Sequence, residues 1–398
     1  KLDFAIRSQG LLVVSGVNNG GGVLDVPLLS HAFNGIAVGR SDGSHKAGLT
    51  GFGMDGPGRS KPELVAPGTA TSWSTPLVAG AGALMLETAR THPNTQANAV
   101  AQFPEVIKAV LMAGADHRAG WSNGAPQSGA MRGATATPLD PLYGADQVHV
   151  DRSHWILTAG QQALAASAAA AARTVHAGWA ETVLGSGESR WARFEVERDK
   201  PYVSVLSTWN RDLAPGFSDW FMPNVDLELW SVDAQGQPLS LVGAAGANAF
   251  ASGNVLSDSP VDNVEHLYVE GLRPGEYLLE VRRSVDALPE WPVAVAWEID
   301  CAEPVAYGTA KTTSTGSTPT LRARGIPAVF ADDFSLVVSG GVAGKSGVAF
   351  HGTGRAAAPF LGGYLLVPGP IRRRGLTGPD PAGADETDRP PTADTDDR

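Results

Sequence analysis

The sequence predicts an α/β segment followed by an antiparallel β-sandwich and a smaller β-module. Short continuous apolar runs such as residues 11–15 are typical of buried parallel strands. A long run of small and apolar residues, 79–89, predicts a buried helix. From about Val175 onward, apolar runs alternate with turn residues, which favours an antiparallel sandwich. The first part of the chain is therefore expected to form a partial doubly wound parallel sheet.

The composition and charge of the chain exclude several classes of protein. The chain has 398 residues, of which 43% are hydrophobic, enough for more than one domain. Its net charge of −11 argues against a nucleic-acid partner, because that partner requires a basic surface. The single cysteine, Cys301, cannot form an intrachain disulfide. The Ala-rich run 163–172 is shorter than the roughly 18 residues of a membrane span, so no span is predicted.

Changes of composition suggest the domain boundaries. Runs with strand character are expected at residues 191–196, 203–206, 226–230, 266–269, 277–281 and 293–297. We expect an α/β part over residues 1–168 and a jelly-roll-like sandwich over 173–301. A Thr-, Ser-, Gly- and Pro-rich linker (302–325), a small β-module (326–374) and a disordered acidic tail (375–398) then follow.

The chain is organised around one strand–turn–helix stretch. Leu64 and Val65 predict a short strand, which runs into the turn Pro67-Gly68 and then into Thr71-Ser72 before the helix. Pro76 is expected in the first helical turn, whose N–H groups have no intrahelical partner to lose. Ser72 is therefore expected at the helix N-terminus, where free N–H groups and the helix dipole favour a developing oxyanion.

This stretch resembles the nucleophile motif of the subtilisin-like serine proteases, the subtilase family, Thr-Ser-x-Ala-x-Pro-x-Val-Ala-Gly. The resemblance implies that Ser72 is the nucleophile and that Val78, Ala79 and Gly80 form a buried helix face. Ser74 departs from the motif, which has Ala there. The upstream residues 61–68 resemble the family's Lys-Pro-(Asp/Glu)-x-x-Ala-Pro-Gly run.

The same resemblance suggests an oxyanion donor. In the family, a strand like residues 11–15 ends in an Asn-x-Gly turn whose Asn side chain donates to the oxyanion. The matching residue is Asn18, with Asn19 as the alternative, although Asn-Asn-Gly-Gly is also a good turn sequence by itself.

The resemblance covers roughly residues 10–160. Residues 33–39 resemble the family's next strand, and residues 140–145 resemble the stretch before its last catalytic-domain helix. Residues 104–115 predict a helix with Pro and Glu in its first turn. The Gly-rich loop 40–60 is expected to border the substrate cleft. The family implies a subtilisin-type sheet and a secreted, monomeric endopeptidase acting on peptide bonds, with no cofactor in its chemistry.

The triad Asp and His are expected to be absent from this chain. A serine nucleophile requires a base and an orienting acid, which precede it in this family. Only 71 residues precede Ser72, too few to hold those motifs. His31 and His45 lie in loop sequence, and His351-Gly352-Thr353 matches part of the His motif in the wrong place. We expect a fragment that is inactive alone and whose signal peptide is lost. The remaining histidines are expected to be surface or core groups (His92, His117, His149, His154, His176 and His266).

Other interpretations compete with this one. Ser41 fits a Gly-x-Ser-x-Gly elbow, but such an elbow opens a helix and residues 44–60 have no helical period. A secreted binding or adhesion protein with a degenerate protease-like part is the main alternative function.

Structural calcium on the sandwich is the only metal that the sequence suggests. Its acidic residues have no recognised loop spacing for the ion, and solvated loop acids are the favoured interpretation. The residues concerned are Asp226, Asp233, Asp258 and Asp262.

Overall fold

A computed structural model describes most of the first 299 residues and parts of the remainder. The described residues are 1–196, 200–242, 250–299, 310–324, 335–342, 345, 347–351, 358–360, 363–366, 372–377 and 384–387. The chain forms two compact units, Lys1–Asp300 and Cys301–Arg398. The first unit includes both of the segments predicted as an α/β part and a sandwich. Its described part is mixed α/β and mostly sheet, as expected.

Three parallel strands form the sheet of the α/β part. These are β1 (Val14–Gly16), β2 (Ile36–Arg40) and β5 (Leu64–Ala66), with β2 in the middle. The predicted strands exist, although β1 begins three residues later than the apolar run. Between β2 and β5, the short strands β3 (Gly48–Leu49) and β4 (Ser60–Lys61) pair within the Gly-rich loop.

Four α-helices accompany this sheet. They are α1 (Leu2–Gln9), α2 (Thr71–Thr91), α3 (Pro104–Ala113) and α4 (Val150–Thr158). Helix α2 contacts all three parallel strands as well as α3 and α4. Every residue of α3 is buried, and Pro104 and Glu105 open it as the sequence predicted. None of the helices in the described residues has the length and apolarity needed to cross a bilayer.

Helix α2 corrects two expectations. Pro76 is its sixth residue rather than a first-turn residue, so the proline ring removes the N–H that would donate to the carbonyl of Ser72. The helix is also buried on one side only. Val78 is buried, as predicted, whereas Ala79 and Gly80 are exposed, so the expectation of a buried face was wrong for those two residues.

Two sheets, largely antiparallel, pack face to face after the α/β part. Their strands are β6 (Ala134–Thr135), β7 (Ala177–Leu184), β8 (Ser189–Val196), β9 (Lys200–Thr208), β12 (Val225–Val232), β13 (Pro238–Leu241), β14 (Ser252–Gly253), β15 (Leu256–Ser257), β16 (Val264–Leu272), β17 (Gly275–Arg283) and β18 (Trp291–Ile299). One sheet has the order β14-β16-β9-β18-β7 and the other the order β6-β15-β12-β17-β8, with β13 beside β12. All six predicted strand runs are confirmed.

The two sheets share one hydrophobic core. Val205, Leu267 and Val295 face it from the first sheet, and Leu227 and Leu279 face it from the second. Alternate residues of each strand point inward, which is the period-2 pattern that predicted the sandwich. A short hairpin, β10 (Asp212–Leu213) and β11 (Trp220–Phe221), lies outside both sheets.

The α/β part and the sandwich are held together by strand pairing, helix packing and side-chain hydrogen bonds. Strand β6 belongs to the α/β sequence but pairs in parallel with β15, with Ala134 opposite Leu256. Helix α3 packs on β9 and β18. Buried Arg211 donates 2.6 Å from Nη2 to Asp3 Oδ2, and its amide donates to Asn34 Oδ1. These contacts explain why residues 1–300 form one compact unit.

The second unit is built from short antiparallel pairs. Its strands are β19 (Thr320–Arg324), β20 (Ser335–Ser339), β21 (Gly347–His351), β22 (Ala358–Phe360), β23 (Gly363–Leu365), β24 (Arg372–Thr377) and β25 (Ala384–Thr387). Strand β20 lies between β19 and β25, while β21 pairs with β24 and β22 with β23.

The second unit corrects two composition-based predictions. The linker prediction was wrong for β19, which lies inside residues 302–325. The disorder prediction was wrong for β25 and for the end of β24, which lie inside residues 375–398. His351 ends β21, whereas Gly352, Thr353 and Cys301 lie outside the described residues.

Candidate functional site

Ser72 is the second residue of α2 and is exposed, and a short turn joins this helix to the carboxyl end of β5. Ala70 caps the helix in an extended conformation, and its carbonyl accepts hydrogen bonds from the amides of Trp73 (2.9 Å) and Ser74 (3.2 Å). The helix therefore presents its positive end at Ser72. This is the position that the sequence predicted for the nucleophile.

The turn before the helix is held by Ser74. Its hydroxyl donates to the carbonyl of Pro67 at 3.3 Å. A side chain on Gly68 would meet Ser74 Oγ at 2.7 Å, so the turn requires a glycine there. The departure from the family motif at Ser74 thus has a local role, because its hydroxyl ties the first helical turn to the preceding loop.

Asn19 is the asparagine that contacts the start of α2. Its Oδ1 accepts hydrogen bonds from the amide of Thr71 (2.7 Å) and from Thr71 Oγ1 (3.3 Å). These bonds occupy the amide oxygen and leave Nδ2 as the donor end. Asn18, the predicted donor, contributes its backbone carbonyl to the amide of Lys46 at 2.8 Å. Asn19, the alternative residue of the pair, therefore contacts Thr71, the residue that precedes Ser72.

A glycine makes that contact sterically feasible. A Cβ on Gly16 would lie 2.7 Å from Thr75 Oγ1 and 3.3 Å from Thr71 Cβ. With no side chain at Gly16, α2 can approach the end of β1 closely enough for Asn19 to reach Thr71. The sequence signal for this was the Gly-x-Asn-Asn order after an apolar run.

The two histidines that precede Ser72 in the chain, His31 and His45, have local hydrogen-bond partners of their own. The Ser72 hydroxyl makes no hydrogen bond with any of the described residues. His45 uses both ring nitrogens elsewhere: Nδ1 accepts from the amide of Arg40 (3.0 Å), so Nε2 is the nitrogen that donates to the carbonyl of Leu142 (2.9 Å). Burial lowers the pKa of His45, so its imidazole is a neutral structural group.

His31 is likewise a structural histidine. Its Nδ1 accepts from the amide of Leu28 at 3.1 Å. Burial, helped by the nearby charges of Lys61 and Arg59, lowers the pKa of His31 to about 4. Both histidines are thus tied into the structure by local hydrogen bonds.

The side of α2 that faces away from the sheet is apolar and open beside Ser72. Trp73, Leu77 and Leu84 are 66%, 51% and 55% exposed, respectively. Within the described residues, β1 is an edge strand, paired on one side with β2. The exposed apolar side of α2 and the unpaired edge of β1 are therefore both open to a further packing partner.

Ser41 does not form a nucleophile elbow. Its amide donates to the carbonyl of Ala66 (3.0 Å) and its carbonyl accepts from Arg118 Nη1 (2.8 Å). Residues 42–60, all described, contain short strands and turns but no helix. The geometry needed to expose the Ser41 hydroxyl above a helix is absent from that segment.

A buried ionic cluster supports the strand that leads to Ser72. Glu63 Oε1 lies 2.7 Å from Lys61 Nζ and 2.8 Å from Lys108 Nζ, and its Oε2 accepts from the amide of Ala37 at 2.5 Å. All three charged side chains are about 2% exposed. Sequence reasoning missed this cluster, although a lone lysine in the apolar helix α3 was an available signal.

Two of the four acids considered for calcium are buried, so their interpretation as solvated loop acids was wrong. Asp226 lies in β12, 3.0 Å from Arg282, and burial raises its pKa despite that arginine. Asp262 accepts hydrogen bonds from the amide of Ser60 and from the Ser259 hydroxyl, and burial raises its pKa to about 6. Among the described residues, no group of three or more His, Cys, Asp or Glu side chains is arranged to hold a metal ion.

No protein-family model matches this chain, and no curated protein matches it significantly. The interpretation of the site therefore depends on the local geometry around Ser72 and on the motif resemblance.

Proposed function

We propose that the chain carries the nucleophile half of a subtilase-type serine endopeptidase, in which Ser72 forms the acyl-enzyme with a peptide substrate. The observation that carries the proposal is the joint placement of an exposed serine at a helix N-terminus and an asparagine amide fixed against the preceding residue, Thr71. A helix N-terminus and an amide N–H each favour negative charge, and in this proposal both act on the oxygen of the tetrahedral intermediate.

In this proposal Asn19 is the oxyanion donor. Thr71 holds its amide oxygen, so the amide cannot rotate freely and its Nδ2–H is preorganised. Loss of one such donor generally costs about 10²–10³ in kcat. Asn18 remains the competing assignment, and its removal separates the two.

The base belongs, in this proposal, to a polypeptide segment that packs on the open side of α2. Trp73, Leu77 and Leu84 would be buried by it, and the free edge of β1 would pair with its strand. That segment would bring an imidazole to Ser72 Oγ from the side that the described residues leave open. A secreted location belongs to the same proposal.

Exogenous imidazole tests the site without that segment. The full chain is incubated with an activated ester with and without imidazole, beside Ser72→Ala, Asn19→Ala and Asn18→Ala. We expect an acyl-enzyme on Ser72, seen by intact mass, and a rate increase with imidazole that Ser72→Ala lacks. Residual catalysis without a triad base is expected to be small, about 10³–10⁴ over water at most.

The asparagine variants then assign the donor. Asn19→Ala is expected to lower the Ser72-dependent rate by about 10²–10³, and Asn18→Ala to leave it nearly unchanged. Equal acylation of wild type and Ser72→Ala would refute the protease proposal and favour the binding-protein alternative. A loss in Asn18→Ala alone would leave Ser72 in place and return the donor role to Asn18.

A further inference from the structure

A cluster of two histidines and two aromatic residues lies between the α/β part and the sandwich. His117 and Trp121 follow α3, while His266 and Tyr268 belong to β16. The His117 ring stacks on Tyr268 with centroids 3.8 Å apart and lies 5.3 Å from the His266 ring. Trp121 packs edge-on against both imidazoles, at 4.8 and 5.4 Å. We refer to these four residues as the histidine cluster.

Hydrogen bonds fix the tautomer of each histidine. His117 Nδ1 faces the carbonyl of Ala115 at 3.1 Å; a carbonyl only accepts, so this nitrogen carries the proton. The Ser204 hydroxyl donates its proton to the carbonyl of Ala113 at 2.9 Å, so His266 Nε2 donates to Ser204 Oγ at 3.2 Å. Each ring therefore has its lone pair on the other nitrogen.

Those lone-pair nitrogens, His117 Nε2 and His266 Nδ1, are buried and have no hydrogen-bond partner among the described residues. A proton added to either would find no acceptor and would lie beside a second imidazole. Burial lowers the pKa of both rings, that of His266 to about 3, and the His266 and Arg152 charges lower the pKa of His117 further.

The charged groups around the cluster are already paired. Arg152 of α4 contacts Asp116 (3.3 Å) and Glu298 of β18 (3.1 Å). Asp146 pairs with Arg118 at 2.5 Å. Glu270 accepts from Ser252, and the Tyr202 hydroxyl of β9 donates to Glu298 at 2.6 Å. The carboxylates near the cluster therefore have partners other than an imidazolium.

We propose that the histidine cluster is an acid-sensitive lock, which holds residues 115–121 against β16 at neutral pH and releases them on acidification. In the closed state both imidazoles are neutral and stacked. In the open state they reach water and titrate near their ordinary value of about 6.5. This proposal is independent of the function proposed for Ser72.

The sign of the effect follows from linkage. A histidine whose pKa is lower in the closed state stabilises that state above its ordinary pKa and loses the contribution as the pH falls below it. One such group changes the closed-to-open ratio by about tenfold between roughly pH 7.5 and 5.5, and two change it by about a hundredfold.

Hydrogen exchange of the full chain measures this ratio locally. Backbone protection of residues 115–121, corrected for intrinsic exchange, is followed between roughly pH 7.5 and 5.5, where two titrating groups predict about a hundredfold loss. Residues 264–272 are paired with β9 and should keep their protection. His117→Phe keeps the ring stack and His266→Gln keeps a donor for Ser204. Each single variant is expected to reduce the loss to about tenfold, and the double variant to remove it.

A matched histidine pair provides the control. His154 of α4 lies 6.0 Å from the ring of His92 but outside the cluster, and both are partly exposed. His154→Gln is expected to keep the wild-type pH profile. If the double variant does not fold, NMR titration of the wild-type protein measures the pKa of each cluster histidine directly. The single variants assign the two imidazole signals. A double variant with the wild-type profile, or protonation of either cluster histidine above about pH 6 in the folded chain, would overturn the proposal.

Discussion

The substitution Glu63→Gln is expected to destabilise the first unit strongly. The carboxylate of Glu63 neutralises the ammonium groups of Lys61 and Lys108 and also accepts from the amide of Ala37, all in a buried setting. A glutamine carries no negative charge, and in either orientation its N–H₂ group faces a donor, either the two ammonium groups or the amide of Ala37. Removing one partner of a buried ion pair generally costs about 3–5 kcal/mol.

We expect a loss of about 4–5 kcal/mol, the upper part of that range, because one carboxylate serves two cations and an amide. Native proteins are stable by only about 5–15 kcal/mol, so the variant should be close to unfolding. Urea titration of the full chain followed by tryptophan fluorescence measures the difference. Asp42→Asn, which breaks an exposed pair with Arg40, is the control and should leave the midpoint unchanged.

The pH dependence of the Glu63 contribution has a definite sign. Burial opposes ionisation of Glu63, but Lys108 and Lys61 outweigh it, so its pKa is lowered from the ordinary value. Its stabilisation is therefore present above about pH 4.5 and is lost as the pH falls through the folded pKa. The double variant Glu63→Gln/Lys108→Met should be less destabilised than the single variant, since one unpaired cation is removed. A loss below about 1 kcal/mol for Glu63→Gln would refute the reasoning.

Three further changes test other parts of the structure by the same urea titration. Gly39→Ala should destabilise the chain by about 2–3 kcal/mol, because the added Cβ would lie 2.5 Å from His45 Nε2 and displace that ring from the carbonyl of Leu142. An unchanged stability would mean that the ring has room to move. Val78→Ala should cost about 2 kcal/mol, and the matched Leu77→Ala on the exposed side less than about 0.5 kcal/mol. Equal costs would show that α2 is covered on both sides. Burial raises the pKa of Asp262 to about 6, so ionisation of this carboxyl opposes folding. The free energy of unfolding of Asp262→Asn should therefore rise by about 1–3 kcal/mol relative to wild type as the pH rises through about 6. Parallel pH profiles of the two proteins would contradict this.

Local patterns in the sequence predicted the elements well. The apolar runs that became β2 and β5, and the alternating runs of the sandwich, carry their burial in their own residues. The start of α2 at Thr71 was also predictable, because a Pro-Gly turn followed by Thr-Ser marks it.

Features that depend on distant partners were not predictable in the same way. Asn18 and Asn19 are adjacent and chemically identical, and only the course of the turn decides which one reaches Thr71. Pro76 was placed one turn too early because the motif gives residue types without the helix boundary. The burial of Glu63 needs two cations, one of them 45 residues away, and a sequence pattern contains no such pairing. Asp262 was expected to be a solvated loop acid for the same reason, because its partner Ser60 is distant in the sequence.

Strand β6 (Ala134–Thr135) pairs within the second sheet although it belongs to the α/β part. This pairing limits where the chain can be divided when domains are exchanged between proteins. The seam between the α/β part and the sandwich runs through a hydrogen-bonded sheet, with β6 beside β15. A sandwich transplanted into another protein at residue 173 would leave the donated strand behind and expose the edge of β15, which invites pairing with other chains. Exchange between relatives should therefore preserve residues 134–299 together, and the unit that moves is larger than the sandwich itself.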